Sequence, residues 1–486
     1  MMRLFPLLTG FFFLLACQPS GTLYKDAICI EHISTIDPTQ GLQADQTVIL
    51  KNGKIHAIGS SSDIVLSPDN TIIDGTGKYL IPGLWDAHVH FAYMEELASR
   101  MFDLFLLHGI TSVRDTGGEI DFVKKWKDKA LANPTEAPRV MIAGPLLDGI
   151  PNVYDGSDPG HPPLSVGLKS VEEVAAEVEE LDRVGVDLLK AYEMLTPEQF
   201  ATITRLGKAK GLKVTGHVPL SMDVISASNA GLNSMEHMRN LELSCATNSD
   251  ELLKRRQTLL FEGKGDPGAI LRSRIHQAQR QIAVENYSEE KAEEVLSVLR
   301  ENETWQIPTL ALNTGFVKKP FAKPEFQTSF AYLPDSTELK WKENIKAFGE
   351  RAVSPFRKAY ADWTFAMVGK IHESGIDIMA GTDCPIFFLT PGRSLHEELA
   401  VLVQAGLTPL EAIKAATLNP ARYFGMETEL GSIQTGMWAD LVILNSNPLE
   451  AIENTTDIEA VVKQGAYYDR QKLEEIRARL DQDNSY

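Results

Sequence analysis

The chain has 486 residues, 43% of them hydrophobic and 23% charged, an ordinary globular composition with length for one large domain and a smaller one. Its formal net charge of -19 argues against nucleic-acid binding, which leaves a basic footprint. Four cysteines with no Cys-x-x-Cys spacing exclude a disulfide scaffold and argue against a thiolate zinc site.

The chain opens on MMRLFPLLTGFFFLLACQPS. One arginine precedes an apolar run that stops at Cys17. The run is short for a transmembrane helix, which needs about 20 residues, and residues 1–16 read as a signal peptide. The LLAC ending resembles the lipobox of bacterial lipoproteins. That resemblance implies that Cys17 is lipidated and becomes the mature N-terminus, and Gln18 after it resembles the pattern sent to an outer membrane. An ordinary cleaved signal with an incidental cysteine is the alternative. The expectation is an exported cell-envelope lipoprotein, attached to the membrane through its lipid anchor only.

Residues 17–80 predict small β elements. TVILKNGKIHAIG holds two alternating runs joined at Asn52-Gly53, a strong hairpin signal. Residues 428–470 repeat this character in GSIQTGMWADLVILN and IEAVVKQGAYY, and 471–486 follow as a tail. Between them, over 81–427, short apolar strands alternate with helical patterns. The strands are LWDAHVH, GITSVRD, RVMIAGPLL, VDLLKAY, KVTGHV, NSMEH, QIPTL and GIDIMAGTD. Eight such alternations predict an α/β fold, a (β/α)8 TIM barrel. A charged, mostly helical interval near 239–305 is an insertion over the barrel mouth. The Gly/Pro-rich stretch after the third strand is a long loop of the kind that forms lids.

Functional residues in such barrels stand at the C-terminal ends of strands. His88 and His90, two apart on one strand, share a face. Their spacing alone fits a metal grip or two polar residues that finish a strand. Other ends bring Lys190, His217, His237 and Asp383 to the same rim, and imidazole with carboxylate suits zinc and related divalent ions. Lys190 is either an unmodified neighbour of a single-metal site or, with burial lowering its pKa, an amine that reacts with carbon dioxide. The resulting carbamate is an anion able to bridge two metals. Tyr192 and Arg239 each lie two positions past a proposed ligand and are weaker candidates for touching a substrate carbonyl and clamping a carboxylate. Asp115 and His396 read as supporting residues.

PGLWDAHVH, VDLLKAY, GHVP, MEH and AGTD, with LTPLEAIKAATLNPARYFG and GSIQTGMWADLVIL beyond the barrel, resemble the amidohydrolase superfamily over about residues 22–470. The nearest branch holds imidazolonepropionase-like enzymes and metal-dependent dipeptidases, including prolidases. Prolidase-type members carry His-Ala-Tyr at strand five, where this chain has GHVPLS. The resemblance implies a barrel joined to a β-sandwich built from both chain ends. It also implies two divalent metals, of which zinc is the expectation. His88, His90 and Asp383 would hold one, His217 and His237 the other, and carboxylated Lys190 would bridge them. The implied reaction is hydrolysis of a small-molecule amide, in a dipeptide, an N-acyl amino acid or a cyclic amide. Metal-activated hydroxide attacks, and Asp383 serves as general base and then acid. The alternatives are a mononuclear deaminase, a phosphotriester or lactone hydrolase on the same barrel, and a non-catalytic surface lipoprotein.

Overall fold

Strand-end residues can share one site only if the strands are parallel and the sheet closes. The computed structural model describes residues 23–158 and 160–482; the signal segment and Cys17 lie outside them. Leu84–Val89, Ile110–Asp115 and Arg139–Ile142 pair in parallel. Leu146–Asp148, Leu188–Ala191, Lys213–Gly216, Ser234–Glu236 and Trp305–Ile307 form a second parallel run. The two runs meet where Asp187 N donates to Ile142 O at 2.9 Å. Closure on the other side comes from residues 376–384. Gln306 N donates to Asp377 O at 3.0 Å, Ala87 N to Ala380 O at 2.9 Å and Asp383 N to His88 O at 2.7 Å. Arg139–Ile142 and Leu146–Asp148 are two halves of one barrel strand, so the predicted (β/α)8 barrel is present, with residues 376–384 as its eighth strand, irregular but hydrogen-bonded.

Local sequence explains the connecting helices. Val171–Val184 starts at Ser170, whose hydroxyl accepts from Glu173 N, and ends at Gly185 with φ 90°. Pro197–Lys210 carries a full capping box, Thr196 with Gln199, and ends at Gly211. Each helix thus begins on an N-capping hydroxyl and stops on a left-handed glycine.

The chain ends build a separate mixed sheet. In spatial order its strands are Ala466–Tyr468, Ile458–Lys463, Leu441–Leu444, Tyr79–Pro82, Ile28–Asp37, Gly41–Lys51 and Lys54–Ser60. Lys51 pairs with Lys54 across Asn52-Gly53, both at positive φ, as the hairpin signal predicts. Leu441–Leu444 lies antiparallel to Tyr79–Pro82, and Ile30, Val48 and Leu80 share a core with Leu441, Ile443 and Val462. Buried Asp440 ties this sheet to the barrel, holding Lys463 Nζ at 2.9 Å and Arg139 at 3.2 Å. Arg470–Gln482 form a helix, which buries Leu473, Ile476 and Leu480.

Two excursions rise from the barrel rim. The first, after Ser234–Glu236, contains Ser249–Glu262, Gly268–Glu285 and Glu289–Glu301. The second, after Trp305–Ile307, contains Leu310–Lys318, Pro324–Gln327 and Asp335–Gly349 before the long helix Pro355–Glu373. Sequence patterning pointed to the first and not to the second. Among the described residues no helix is long and apolar enough to cross a membrane.

Candidate active site

The six strand-end residues singled out in the sequence converge at the C-terminal rim of the barrel, on one cavity of about 800 Å3. His88, His90 and Asp383 offer nitrogen and oxygen atoms that all lie within 4.8 Å of one another. Asp383 Oδ1 stands 3.1 Å from His90 Nε2 and 3.3 Å from His88 Nε2, and Oδ2 stands 3.5 Å from His237 Nε2. The His237 ring lies 4.7 Å from that of His88 and 4.9 Å from that of His217. Four imidazoles therefore form one continuous patch, with a carboxylate at its centre.

The outer face of each ring explains its orientation. His88 Nδ1 meets Glu236 Oε2 at 2.6 Å, His90 Nδ1 donates to Gly117 O at 3.0 Å, His217 Nδ1 meets Glu193 Oε1 at 2.7 Å, and His237 Nδ1 meets Thr309 Oγ1 at 2.6 Å. With Nδ1 engaged outward, the lone pair of each Nε2 is left for the cavity side. With no metal, a proton must stand between His90 Nε2 and Asp383 Oδ1, 3.1 Å apart, and although burial opposes the charge, Asp383 raises the His90 pKa; a cation held by the Nε2 lone pairs and the carboxylate takes the place of that proton. His88, His90, His217, His237 and Asp383 thus fit a metal by their donor chemistry.

Electrostatics point the same way. Burial opposes charge on Asp383, but His88 and His237 outweigh it and hold the carboxyl well below its usual range. Burial pushes His217 down to about 3 and keeps it neutral, the form that ligates metals. Lys190 Nζ is buried, makes no hydrogen bond and has Glu236 Oε1 4.0 Å away. Its pKa is pushed down to about 8, chiefly by burial.

Several groups that matter here were not singled out in the sequence. Glu236 accepts from Arg114 at 2.8 Å and from Thr215 as well as facing His88. Glu193 joins His217 to His276, whose Nε2 lies 2.7 Å from Glu193 Oε2. The signal for both glutamates was an acid beside a fully buried strand, in VDLLKAYE and NSMEH. Tyr192 lies with its ring 4.4 Å from that of His217, and its hydroxyl accepts from Arg272 at 3.1 Å. Arg239 lines the cavity with its Nε buried and unbonded, and among the described residues no carboxylate lies within ion-pair reach of it. Asp115 accepts from Phe91 N and Gly117 N and so braces the loop whose carbonyl holds His90. His396 lies outside the cavity lining, between Thr455 and the His108 carbonyl.

Gly216 shows how tightly the His217 strand is held. A Cβ there would stand 2.1 Å from Ala191 O on the neighbouring strand. Gly216→Ala is expected to lose roughly 1–3 kcal/mol of stability, the cost of overpacking, and to displace His217. Denaturant unfolding checks this; parent-like stability would mean that the two strands part easily.

The sequence model of the Amidohydrolase family matches residues 79–260 and 332–467, which include all six strand-end residues. The chain belongs to the amidohydrolase family. Membership places it among hydrolases, and the unmatched interval 261–331 covers parts of both rim excursions. Ochratoxinase from Aspergillus niger is 24% identical over 490 residues, covering 89% of this chain and 84% of that one. Adenine deaminase from Ruegeria sp. (strain TM1040) is 22% identical over 83% of this chain, and the match spans only 52% of that relative. Among solved structures, a Xaa-Pro dipeptidase with bound methionine superposes with a TM-score of 0.64 at 20% identity, over 91% of this chain and 100% of that one. At that identity the likeness speaks for the fold.

Proposed function

We propose that this amidohydrolase hydrolyses a small-molecule amide bond, in a dipeptide, an N-acyl amino acid or a cyclic amide. The observation that carries the reading is the set of four histidines, each tied outward through Nδ1, with His88, His90 and His237 turned toward Asp383 and the His217 ring beside that of His237. His88, His90 and Asp383 would hold one divalent ion, zinc by donor chemistry, and His217 and His237 a second. A bridging role for Lys190 is supported by its buried, unbonded amine, which is suited to carbamate formation. Such ions, when bound, supply Lewis acidity to a carbonyl and make water acidic near neutral pH.

The protein's own groups do the rest. Asp383, ionised and buried, takes the proton of the attacking water and returns it to the leaving nitrogen. Arg239 presents a guanidinium without a counter-ion among the described residues, placed to clamp a substrate carboxylate. Tyr192 orients the acyl side from beside His217. Glu193 and Glu236 fix the tilt of His217 and His88 through the reacting cycle. Elemental analysis of active protein, with a panel of amides, N-acyl amino acids and aminopurines, tests the reading. Two metals per chain and an acid plus an amine as products are expected. A single metal with ammonia released from an aminopurine would replace it with the deaminase.

For location, we propose export and anchoring through Cys17, on the strength of the LLAC sequence. Mass spectrometry of native protein is expected to find a lipid-modified Cys17 at the mature N-terminus; an intact Met1 would overturn this.

A further inference from the structure

The cavity has two unlike walls. On the helix Gly268–Glu285 side it is polar, with Arg272, His276 and Arg280. Leu312, Phe316, Val317, Phe356, Ile386 and Phe387 line the rest, together with Asn313, Ser354 and Arg357, whose guanidinium lies 4.9 Å from the Phe316 ring. The six apolar residues are only partly buried, so apolar surface faces the cavity.

That wall is built by strain and packing together. Phe387 and Phe388 both hold positive φ, 49° and 65°, a conformation costly for bulky residues and kept only when the surroundings enforce it. The enforcement comes from the second rim excursion. Phe388 packs against Phe321, Trp341 and Phe348, while Phe387 is turned to stack on Phe316 with centroids 3.8 Å apart. Both rings pack on Phe321 and Phe348, but Phe388 is buried there while Phe387, four residues after Asp383, keeps part of its surface in the cavity lining. Exposed apolar surface kept at such a cost inside a polar-rimmed cavity marks a binding surface.

Building on the amide-hydrolase reading, we infer that this wall selects the substrate: it receives a bulky apolar group, aromatic or a medium-length alkyl chain, carried by an amide that also bears a carboxylate. Small polar dipeptides leave the wall wet and are poor substrates.

The test compares N-acetylalanine with N-octanoylalanine, N-benzoylalanine and N-acetylphenylalanine, so that either side of the amide carries the bulk. On at least one side kcat/KM is expected to rise about tenfold to a hundredfold, the range a few buried carbons give. Phe316→Ala and, separately, Phe356→Ala are expected to collapse that ratio. Calorimetric titration of the metal-loaded wild type with octanoate, 3-phenylpropionate and acetate reads the wall without turnover. At least tenfold tighter binding of the two larger acids supports the proposal. If amides are cleaved but neither rate nor binding responds to apolar bulk, the wall proposal is overturned and the amidase reading stands. If no amide is cleaved while the larger acids still bind tighter, the amidase reading falls and the apolar site remains.

Discussion

Asp383→Asn is expected to fold, to keep most of its metal and to lose about 10²–10⁴-fold in turnover on any amide substrate, the usual cost of removing general acid–base help. Asn keeps the shape and one ligating oxygen and cannot take the proton. The backbone favours this exchange: Asp383 sits at φ 67°, and Asn tolerates the left-handed region as readily as Asp. The wild-type pH profile is expected to carry the same message. His88 and His237 hold the Asp383 carboxyl well below its usual range against the effect of burial, so it stays ionised across neutral pH, and activity is expected to fall on acidification as Asp383 and the attacking hydroxide take up protons. Steady-state kinetics beside metal analysis checks the prediction. A variant within a few-fold of wild type with its metals intact would assign proton transfer to another residue.

Lys190→Ala is expected to lower metal content and activity together, with an activity loss comparable to that of Asp383→Asn, and a short carboxylic acid added in millimolar amounts is expected to restore part of both. The reason is the place of the amine: buried, unbonded and among the imidazoles, where an ammonium would repel a cation and an anionic carbamate attracts it. Carbamate forms from the neutral amine. Burial pushes Lys190 down to about 8, so the neutral fraction grows as pH rises through that value. Reloading metal-free protein with zinc in bicarbonate is therefore expected to be faster at about pH 8.5 than at about pH 6.5. Retention of both metals and normal turnover in Lys190→Ala would remove the carbamate from the mechanism.

The barrel and its rim residues were legible because their signals are local. Strands alternating with capped helices announce the closed parallel sheet, and His88 with His90 announces a shared face within three residues. What stayed hidden depends on distant pairs. The Glu193–His276 contact spans 83 positions, and no pattern around either residue names the other. Glu236 was visible as an acid in a buried strand, yet its partners Arg114 and His88 come from strands far earlier in the chain. The second rim excursion was missed for a related reason. It opens on the short helices Leu310–Lys318 and Pro324–Gln327, and the aromatic rings of 316–348 find their partners at Phe387 and Phe388 only in three dimensions.

The antiparallel pairing of Tyr79–Pro82 with Leu441–Leu444 sets a timetable for the nascent chain. The N-terminal half of the mixed sheet leaves the ribosome with an open edge at Tyr79–Pro82, and its missing neighbour is encoded some 360 residues downstream. Closing so long a loop is slow, and an unpaired edge in the meantime invites intermolecular pairing. Completion of the small domain therefore waits until Leu441–Leu444 has been made. A chain stopped just before residue 441 keeps every strand of the barrel while leaving that edge bare, and it should betray itself by aggregation before any defect in the active site is felt.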